Sequence, residues 1–145
     1  MLPTLGPMLQ VHPMSDLDAV LVRADAPGVV LLPSPPVLEG KVPLEQQIIA
    51  AAIAGGIDEP TELADFAINV LEAETLLPRD PWPFSRGELQ AAGLVLVLGQ
   101  PFRELVLIDP TAGLDARRRK ALADFLRDLG SEGNRITVAT NDDAF

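Results

Sequence analysis

Two short segments in the second half of the chain carry residue types that bind anions or orient water. Ser85 and Gly87 stand at the predicted start of an apolar helix, and Glu88 follows Ser85 at the capping-box spacing. A hydroxyl and a glycine at a helix N-terminus leave backbone N–H groups accessible to an anion such as phosphate. Asp109 follows a short apolar run and precedes a turn, so its carboxylate is predicted at the end of a buried strand. A serine at position 85 could also serve as a helix cap alone.

Alternating strands and helices are predicted around these residues. Four short apolar runs have the composition of strands, at residues 18–23, 29–33, 105–108 and 136–140. Four longer stretches have helix formers or one apolar face, at residues 44–54, 61–74, 87–98 and 116–129. Thr61 is the predicted N-cap of the second helix, and Gly130 is the predicted stop of the last one.

This alternation predicts an α/β fold with a small, largely parallel sheet flanked by helices. Residues 41–83 have no strand candidate and are predicted to form an inserted helical subdomain. Residues 1–15 contain three prolines and no hydrophobic period, so we expect an irregular lead-in there. The predicted domain therefore spans residues 16–145.

The composition excludes several classes of function. The net charge of −10, from 11 basic and 21 acidic residues, disfavours nucleic acid and anionic lipid as partners. The absence of cysteine excludes disulfides and thiolate chemistry, and a single histidine excludes a polyhistidine metal site. The apolar runs are too short to span a membrane, and the first residues lack the basic flank of a signal peptide. We expect a cytoplasmic protein without a resident metal.

Three segments of the second half recur together in order: 84–90 (FSRGELQ), 105–115 (LVLIDPTAGLD) and 136–142 (ITVATND). They resemble the signature motif, the Walker B strand with its D-loop, and the switch loop of ATP-binding cassette (ABC) ATPases. Residues 29–48 are similar to the Q-loop region of that family, with Ser34 at the position of its glutamine. The resemblance covers roughly residue 20 to the C-terminus.

The resemblance implies a truncated ABC-type fold and a site shared between two subunits. In this family the signature closes over the γ-phosphate of ATP held by the opposite subunit. By resemblance, Ser85, Arg86, Gly87 and Glu88 would do so here, although Arg86 stands where the family usually has a glycine. Asp115 corresponds to the D-loop aspartate of the dimer interface.

The residues that act on a subunit's own ATP are not matched. The sequence contains no G-x-x-x-x-G-K-[ST], the motif that cradles phosphates. Lys41 follows Gly40, but Pro35 and Val42 occupy the first glycine position and the hydroxyl position of such a loop. No recognisable Walker A lobe is therefore present in these residues.

The carboxylates and the switch residue depart from the family as well. Ile108 stands at the metal-ordering aspartate, and Asp109 stands at the catalytic glutamate with a side chain one methylene shorter. Asn141 replaces the switch histidine, so this position cannot carry a proton. Asp109 is thus the one weak catalytic candidate.

These features favour a degenerate nucleotide-binding domain that does not hydrolyse ATP alone. It would contribute its signature and D-loop to an ATP-Mg²⁺ site held by a complete ABC subunit or a second copy, in contact with a membrane permease. One alternative is a regulatory or scaffold module that keeps the fold for docking only. Another is a diverged ATPase that uses Lys41 on the phosphates.

Overall fold

The computed structural model describes residues 8–145. The strands are β1 (Leu9–His12), β2 (Val29–Leu32), β3 (Glu104–Ile108) and β4 (Ile136–Ala139). The helices are α1 (Leu17–Arg23), α2 (Leu44–Ala54), α3 (Glu62–Leu71), α4 (Arg86–Leu98) and α5 (Ala116–Ser131). Two short 3₁₀ turns lie at Met14–Asp16 and Glu74–Leu76. The α/β class predicted from the sequence is confirmed.

The four strands form one parallel sheet in the order β1-β4-β3-β2. Because parallel strands run in the same direction, the turns that follow β1, β3 and β4 meet at one edge. Ligands of open parallel sheets bind outside this carboxyl edge. We call it the carboxyl edge below.

Side chains alternate between the two faces of the sheet, and each face has its own cover. On one face, Leu105, Leu107 and Val138 pack with α4 and α5 in the larger apolar core. On the other face, Val106 and Ile108 pack against Val20 of α1. The insert does not form a separate core, because buried side chains of α2 and α3 belong to the larger cluster, namely Leu44, Ile48, Ala64, Ala67 and Leu71.

Two predictions for the start of the chain are wrong. The lead-in contains a strand, β1, which pairs with β4 over its whole length. Residues 18–23 are helical, since α1 spans Leu17–Arg23 and buries only Val20 fully. The short apolar run in residues 18–23 is compatible with a helix or with a strand. The element against which it packs decides which of the two forms. Here β1 occupies the place beside β4, and α1 covers the sheet face.

Helix boundaries also differ from prediction in physically informative ways. The helix α5 continues through Gly130 to Ser131, so Gly130 is not its stop. A Cβ at Gly130 would lie 2.9 Å from the backbone N of Leu9, and the glycine therefore permits β1 to approach α5. Thr61 has N-cap backbone geometry, but its hydroxyl donates to the carbonyl of Leu98 and not to α3. The helix α3 ends at Leu71, three residues before the predicted end at Glu74.

The division into a lead-in at 1–15 and a domain at 16–145 remains a prediction, and residues 1–7 lie outside the described part of the chain. Within residues 8–145, no helix has both the length and the apolar character needed to cross a bilayer.

Candidate functional site

The N-terminus of α4 is fixed by the predicted capping box. The Ser85 hydroxyl oxygen accepts from the backbone N–H of Glu88 at 3.1 Å, and Glu88 Oε1 accepts from the backbone N–H of Ser85 at 2.9 Å. The donation from Ser85 is the main reason that the pKa of Glu88 lies below its usual value. The Ser85 side chain is exposed at this helix start.

Gly87 holds this helix start against the turn that follows β3. A Cβ on Gly87 would lie 2.7 Å from the carbonyl oxygen of Gly113, so no larger residue fits without moving that turn. Gly113 has a φ of +79°, a left-handed conformation that favours glycine. The side chain of Arg86 lies beside Gly113. The two motifs recognised separately in the sequence are thus in direct contact.

Asp115 ends this turn and caps α5. Its carboxylate accepts from the backbone N–H of Arg118 at 2.9 Å, which is the main reason that its pKa is lowered. The Arg118 guanidinium pairs with Asp115 and with Glu72, and Arg117 makes two hydrogen bonds of 2.7 and 2.6 Å to Glu72. These bonds join the end of α3 to the start of α5.

Signature and D-loop residues line one open cavity of about 440 Å³. We call it the signature cavity. It is lined by residues of α4, the turn, α5 and the end of α3, among them Ser85, Arg86, Gly87, Glu88, Asp115 and Arg118. The structure therefore brings together the predicted residues of the trans-acting half of a site.

A second group of polar residues is linked by hydrogen bonds at the carboxyl edge. Asp109 has a φ of +46°, and its Oδ1 accepts from the Thr140 hydroxyl at 2.9 Å. Asp142 accepts from the Thr111 hydroxyl at 2.6 Å and lies 4.0 Å from the Arg119 guanidinium. An open cavity of about 510 Å³ lies here, lined by Asp109, Asn141, Asp142 and Arg119 among others. The segments that resemble the switch loop and the Walker B strand therefore meet. Their own side chains bond them to each other.

The turn after β1 enters the same edge as a strand–turn–helix unit, the arrangement of a phosphate-binding loop. Three of its positions offer no free backbone donor. Pro13 has no N–H, the N–H of Met14 donates to Asn141 Oδ1 at 2.9 Å, and the N–H of Asp16 donates to the carbonyl of Pro13. Asp16 and Asp18 also place negative charge at the start of α1. This turn does not fit a triphosphate.

The remaining candidate residues supply neither a metal ligand nor a phosphate-binding loop. Ile108 is buried against α1 and offers no metal ligand. Among residues 8–145, His, Asp and Glu side chains form no cluster of three or more suited to a metal ion. Lys41 lies in a loop whose backbone bonds to the Gln47 side chain through Glu39 and Val42, not in a ring of open N–H groups.

Ser34 lies apart from the two larger cavities. With Arg86 and Ala112 it lines a smaller pocket of about 220 Å³. Arg86 also lines the signature cavity, and Ala112 also lines the cavity at the carboxyl edge. The three pockets are therefore neighbours around the turn at residues 109–115.

Known proteins match this chain in sequence over about half of its length. It is 39% identical over 66 residues to the energy-coupling factor transporter ATP-binding protein EcfA2 of Bacillus subtilis, which covers 46% of this chain and 24% of the relative. It is 37% identical over 75 residues to a putative ABC transporter ATP-binding protein of Methanosarcina acetivorans, covering 52% of this chain and 27% of the relative. The chain thus matches about a quarter of the length of these relatives. No protein-family model matches it.

Solved structures match almost the whole chain. A putative ABC transporter ATP-binding protein from Pyrococcus furiosus superposes with a TM-score of 0.72 at 18% identity, covering 95% of this chain and 80% of that one. A putative metal-chelate type ABC transporter in an inward-facing conformation gives a TM-score of 0.66 at 16% identity, covering 94% of this chain and 63% of that one. The chain has the fold of an ABC nucleotide-binding domain and is related to these proteins in sequence. The resemblance recognised in the sequence is confirmed.

Sequence reasoning about this chain missed the residues that bond its motifs together. Thr111, Thr140 and Asp142 carry no motif signal of their own, although their side chains make the hydrogen bonds at the carboxyl edge. Gln90 is the last residue of the segment that resembles the signature motif, and the resemblance implies no role for it. Its signal was present, because it is the one amide in an otherwise apolar stretch of α4.

The crowded turn after β1 leads to a prediction for nucleotide binding. We expect Mg²⁺-ATP at millimolar concentration to leave the melting temperature of the isolated chain unchanged, and Lys41→Ala to make no difference to that result. A ligand at about 100 times its Kd would add roughly 2.7 kcal/mol of stability, which moves a melting temperature by several degrees. A thermal-shift titration measures this. A clear shift that disappears in Lys41→Ala would instead support the diverged-ATPase hypothesis.

Proposed function

We propose that this nucleotide-binding domain completes the ATP site of a partner subunit in an ABC transport system and does not hydrolyse ATP alone. The partner carries the glycine-rich phosphate loop and holds ATP with Mg²⁺. This chain presents Ser85, Gly87 and Asp115 across the interface. The observation that carries the proposal is the signature cavity, in which signature and D-loop residues meet, whereas in the turn after β1 the Met14 N–H is already bonded to Asn141.

The chemistry of the signature cavity supports a phosphate ligand. The exposed hydroxyl of Ser85 and the first N–H groups of α4 lie at the positive end of the helix dipole. Arg86 takes part in none of the ion pairs among the described residues, so its charge is not neutralised within them. A guanidinium beside a helix N-terminus suits a charged γ-phosphate.

The partner should be a different subunit. Two copies of residues 1–145 would bring two signature cavities together and no phosphate loop. Several curated relatives are named energy-coupling factor transporter ATP-binding proteins, which favours transport as the process and a permease as a further neighbour. The transported substrate and the direction of transport are not specified by any of these residues. Such an arrangement places the chain in the cytoplasm, at the membrane through its partners.

The decisive experiment measures ATP hydrolysis by a partner. The tagged chain is expressed in its source cells, and a co-purifying subunit that contains G-x-x-x-x-G-K-[ST] is then purified. We expect the wild-type chain to stimulate ATP hydrolysis by this subunit, and Ser85→Ala to reduce the stimulation by between about tenfold and a hundredfold, because a hydrogen bond to a charged phosphate is lost.

Stability has to be separated from function in this test. Loss of the N-cap costs about 1 kcal/mol in Ser85→Ala, which urea unfolding measures. Ser85→Thr keeps both the cap and the hydroxyl, so it should restore most of the stimulation. Stimulation that is equal for the wild type and for Ser85→Ala would contradict the proposal.

One observation favours a second candidate, the scaffold module. Ile108 and Asn141 are incompatible with the metal-ordering and switch functions, so hydrolysis places little constraint on this chain. A scaffold would bind the partner without changing its hydrolysis, and the experiment above distinguishes the two outcomes.

A further inference from the structure

Gln90 is a buried amide that bonds two functional segments to each other. Its side chain is 2% exposed, and its Nε2 donates to the carbonyl oxygen of Pro110 at 2.8 Å. Pro110 is itself buried and directly follows Asp109. A buried carbonyl without a donor is costly, so this bond fixes the place of the turn relative to α4.

The same turn is held by α4 at a second point. Gly87 lies one helical turn before Gln90 and meets the carbonyl of Gly113 in the close contact described above. Between these points the turn closes on itself, because Ala112 N–H donates to the Asp109 carbonyl and Leu114 N–H donates to the Thr111 carbonyl. The signature helix, α4, therefore contacts the turn near the start of the turn at Pro110 and near its end at Gly113.

We infer that Gln90 is a positioning residue that fixes the D-loop turn, residues 110–115, to the signature helix. With Gln90 in place, Ser85 and Asp115 are presented to a partner as one rigid surface. This inference rests on the proposed function for its consequence in hydrolysis. Its structural part, the restraint on the turn, concerns the isolated chain alone.

Amide hydrogen exchange of the isolated chain tests the structural part. Gln90→Met keeps the size of the side chain and removes the donor. We expect exchange at Ala112 and Leu114 to become roughly tenfold faster while the amides of β3 and β4 keep their protection. The matched control is Gln100→Met, since the Gln100 amide donates to the carbonyl of Leu96 at the end of α4, away from the turn, and it should leave the turn unchanged. Equal exchange of the turn in wild type and Gln90→Met would overturn the inference.

Gly87→Ala disturbs the same restraint from its other end and provides a second variant should Gln90→Met fold poorly. Its Cβ must displace the Gly113 carbonyl, so we expect the same local acceleration of exchange at Ala112 and Leu114. A change spread evenly over all amides in both variants would mean a general loss of stability and would also overturn the inference.

Hydrolysis by the phosphate-loop subunit tests the functional part. If Gln90 positions the D-loop, Gln90→Met should lower kcat of the stimulated subunit severalfold and leave its KM for ATP unchanged, because the partner's own loop binds the nucleotide. A rise in KM alone would contradict positioning. If the wild-type chain gives no stimulation, the proposed function fails, while the exchange result still decides whether Gln90 restrains the turn.

Discussion

Asp142→Asn is expected to lower the free energy of unfolding at neutral pH by about 2 to 3 kcal/mol. The Asp142 side chain is only 11% exposed, and it accepts from the Thr111 hydroxyl and from the backbone N–H of Ala144. An amide oxygen can still accept from the Ala144 N–H, but its NH₂ group then turns toward Thr111, so the charge-assisted bond from the Thr111 hydroxyl is lost. Urea unfolding followed by circular dichroism measures the loss.

The same carboxylate makes the loss depend on pH. The hydrogen bond from Thr111, the bond from Ala144 and the charge of Arg119 hold the pKa of Asp142 below its ordinary value of 3.8. A depressed pKa adds stability that is fully present above the unfolded value and is lost as pH falls through the folded value. We therefore expect the difference between wild type and Asp142→Asn to be constant near pH 7 and to shrink as pH falls below 3.8.

Asp143→Asn is the matched control for these measurements. Asp143 is the next residue, is exposed, and makes none of the side-chain hydrogen bonds that hold Asp142 among the described residues. It should lose no more than a few tenths of a kcal/mol. If both variants lost the same amount, net charge and not the bonded network would explain the effect of Asp142.

The second half of the fold was predictable because its local signals agree with one another. The capping box at Ser85 places the start of α4, and the apolar run of β3 is continuous because both faces of that strand are covered. The helix α5 has one apolar face and begins directly after Asp115. In each case the pattern of one segment is sufficient to define its structure.

The first half was less predictable because its elements depend on distant partners. The strand β1 has four residues and an exposed Val11, so no alternation marks it, and its stability comes from pairing with β4. Gly130 provides a further example. Its residue type is compatible with a helix stop, but the real constraint is the approach of Leu9 from more than 100 positions away in sequence.

The candidate site could be predicted as a set of residues but not as a geometry. The order of the motifs is sufficient to predict that Ser85 and Asp115 both face the ATP of a partner subunit. The Gly87–Gly113 contact, the bond from Gln90 and the engagement of Asn141 by Met14 all join residues at least twenty positions apart. Contacts of this kind are created by packing, so no local pattern in the sequence reveals them.

Gly87→Asp should have the largest effect on function of the variants considered. Its Cβ would collide with the Gly113 carbonyl at 2.7 Å, and its carboxylate would add a negative charge to the first turn of α4, near the proposed position of the γ-phosphate of the partner's ATP. A negative charge there opposes phosphate both directly and by cancelling the helix dipole. We expect stimulation of ATP hydrolysis by the phosphate-loop subunit to fall by about a hundredfold.

Gly87→Ala separates the two causes, because it carries the steric part without the charge. If charge dominates, Gly87→Ala should keep a substantial part of the stimulation, and higher ionic strength should weaken the remaining defect of Gly87→Asp by screening. If sterics dominate, both variants should be equally impaired and insensitive to salt, and the restraint of the turn rather than phosphate contact would be the function of this glycine. Full activity of Gly87→Asp would contradict a phosphate beside Ser85 altogether, since no arrangement of that helix start accommodates a carboxylate and a triphosphate without a cost.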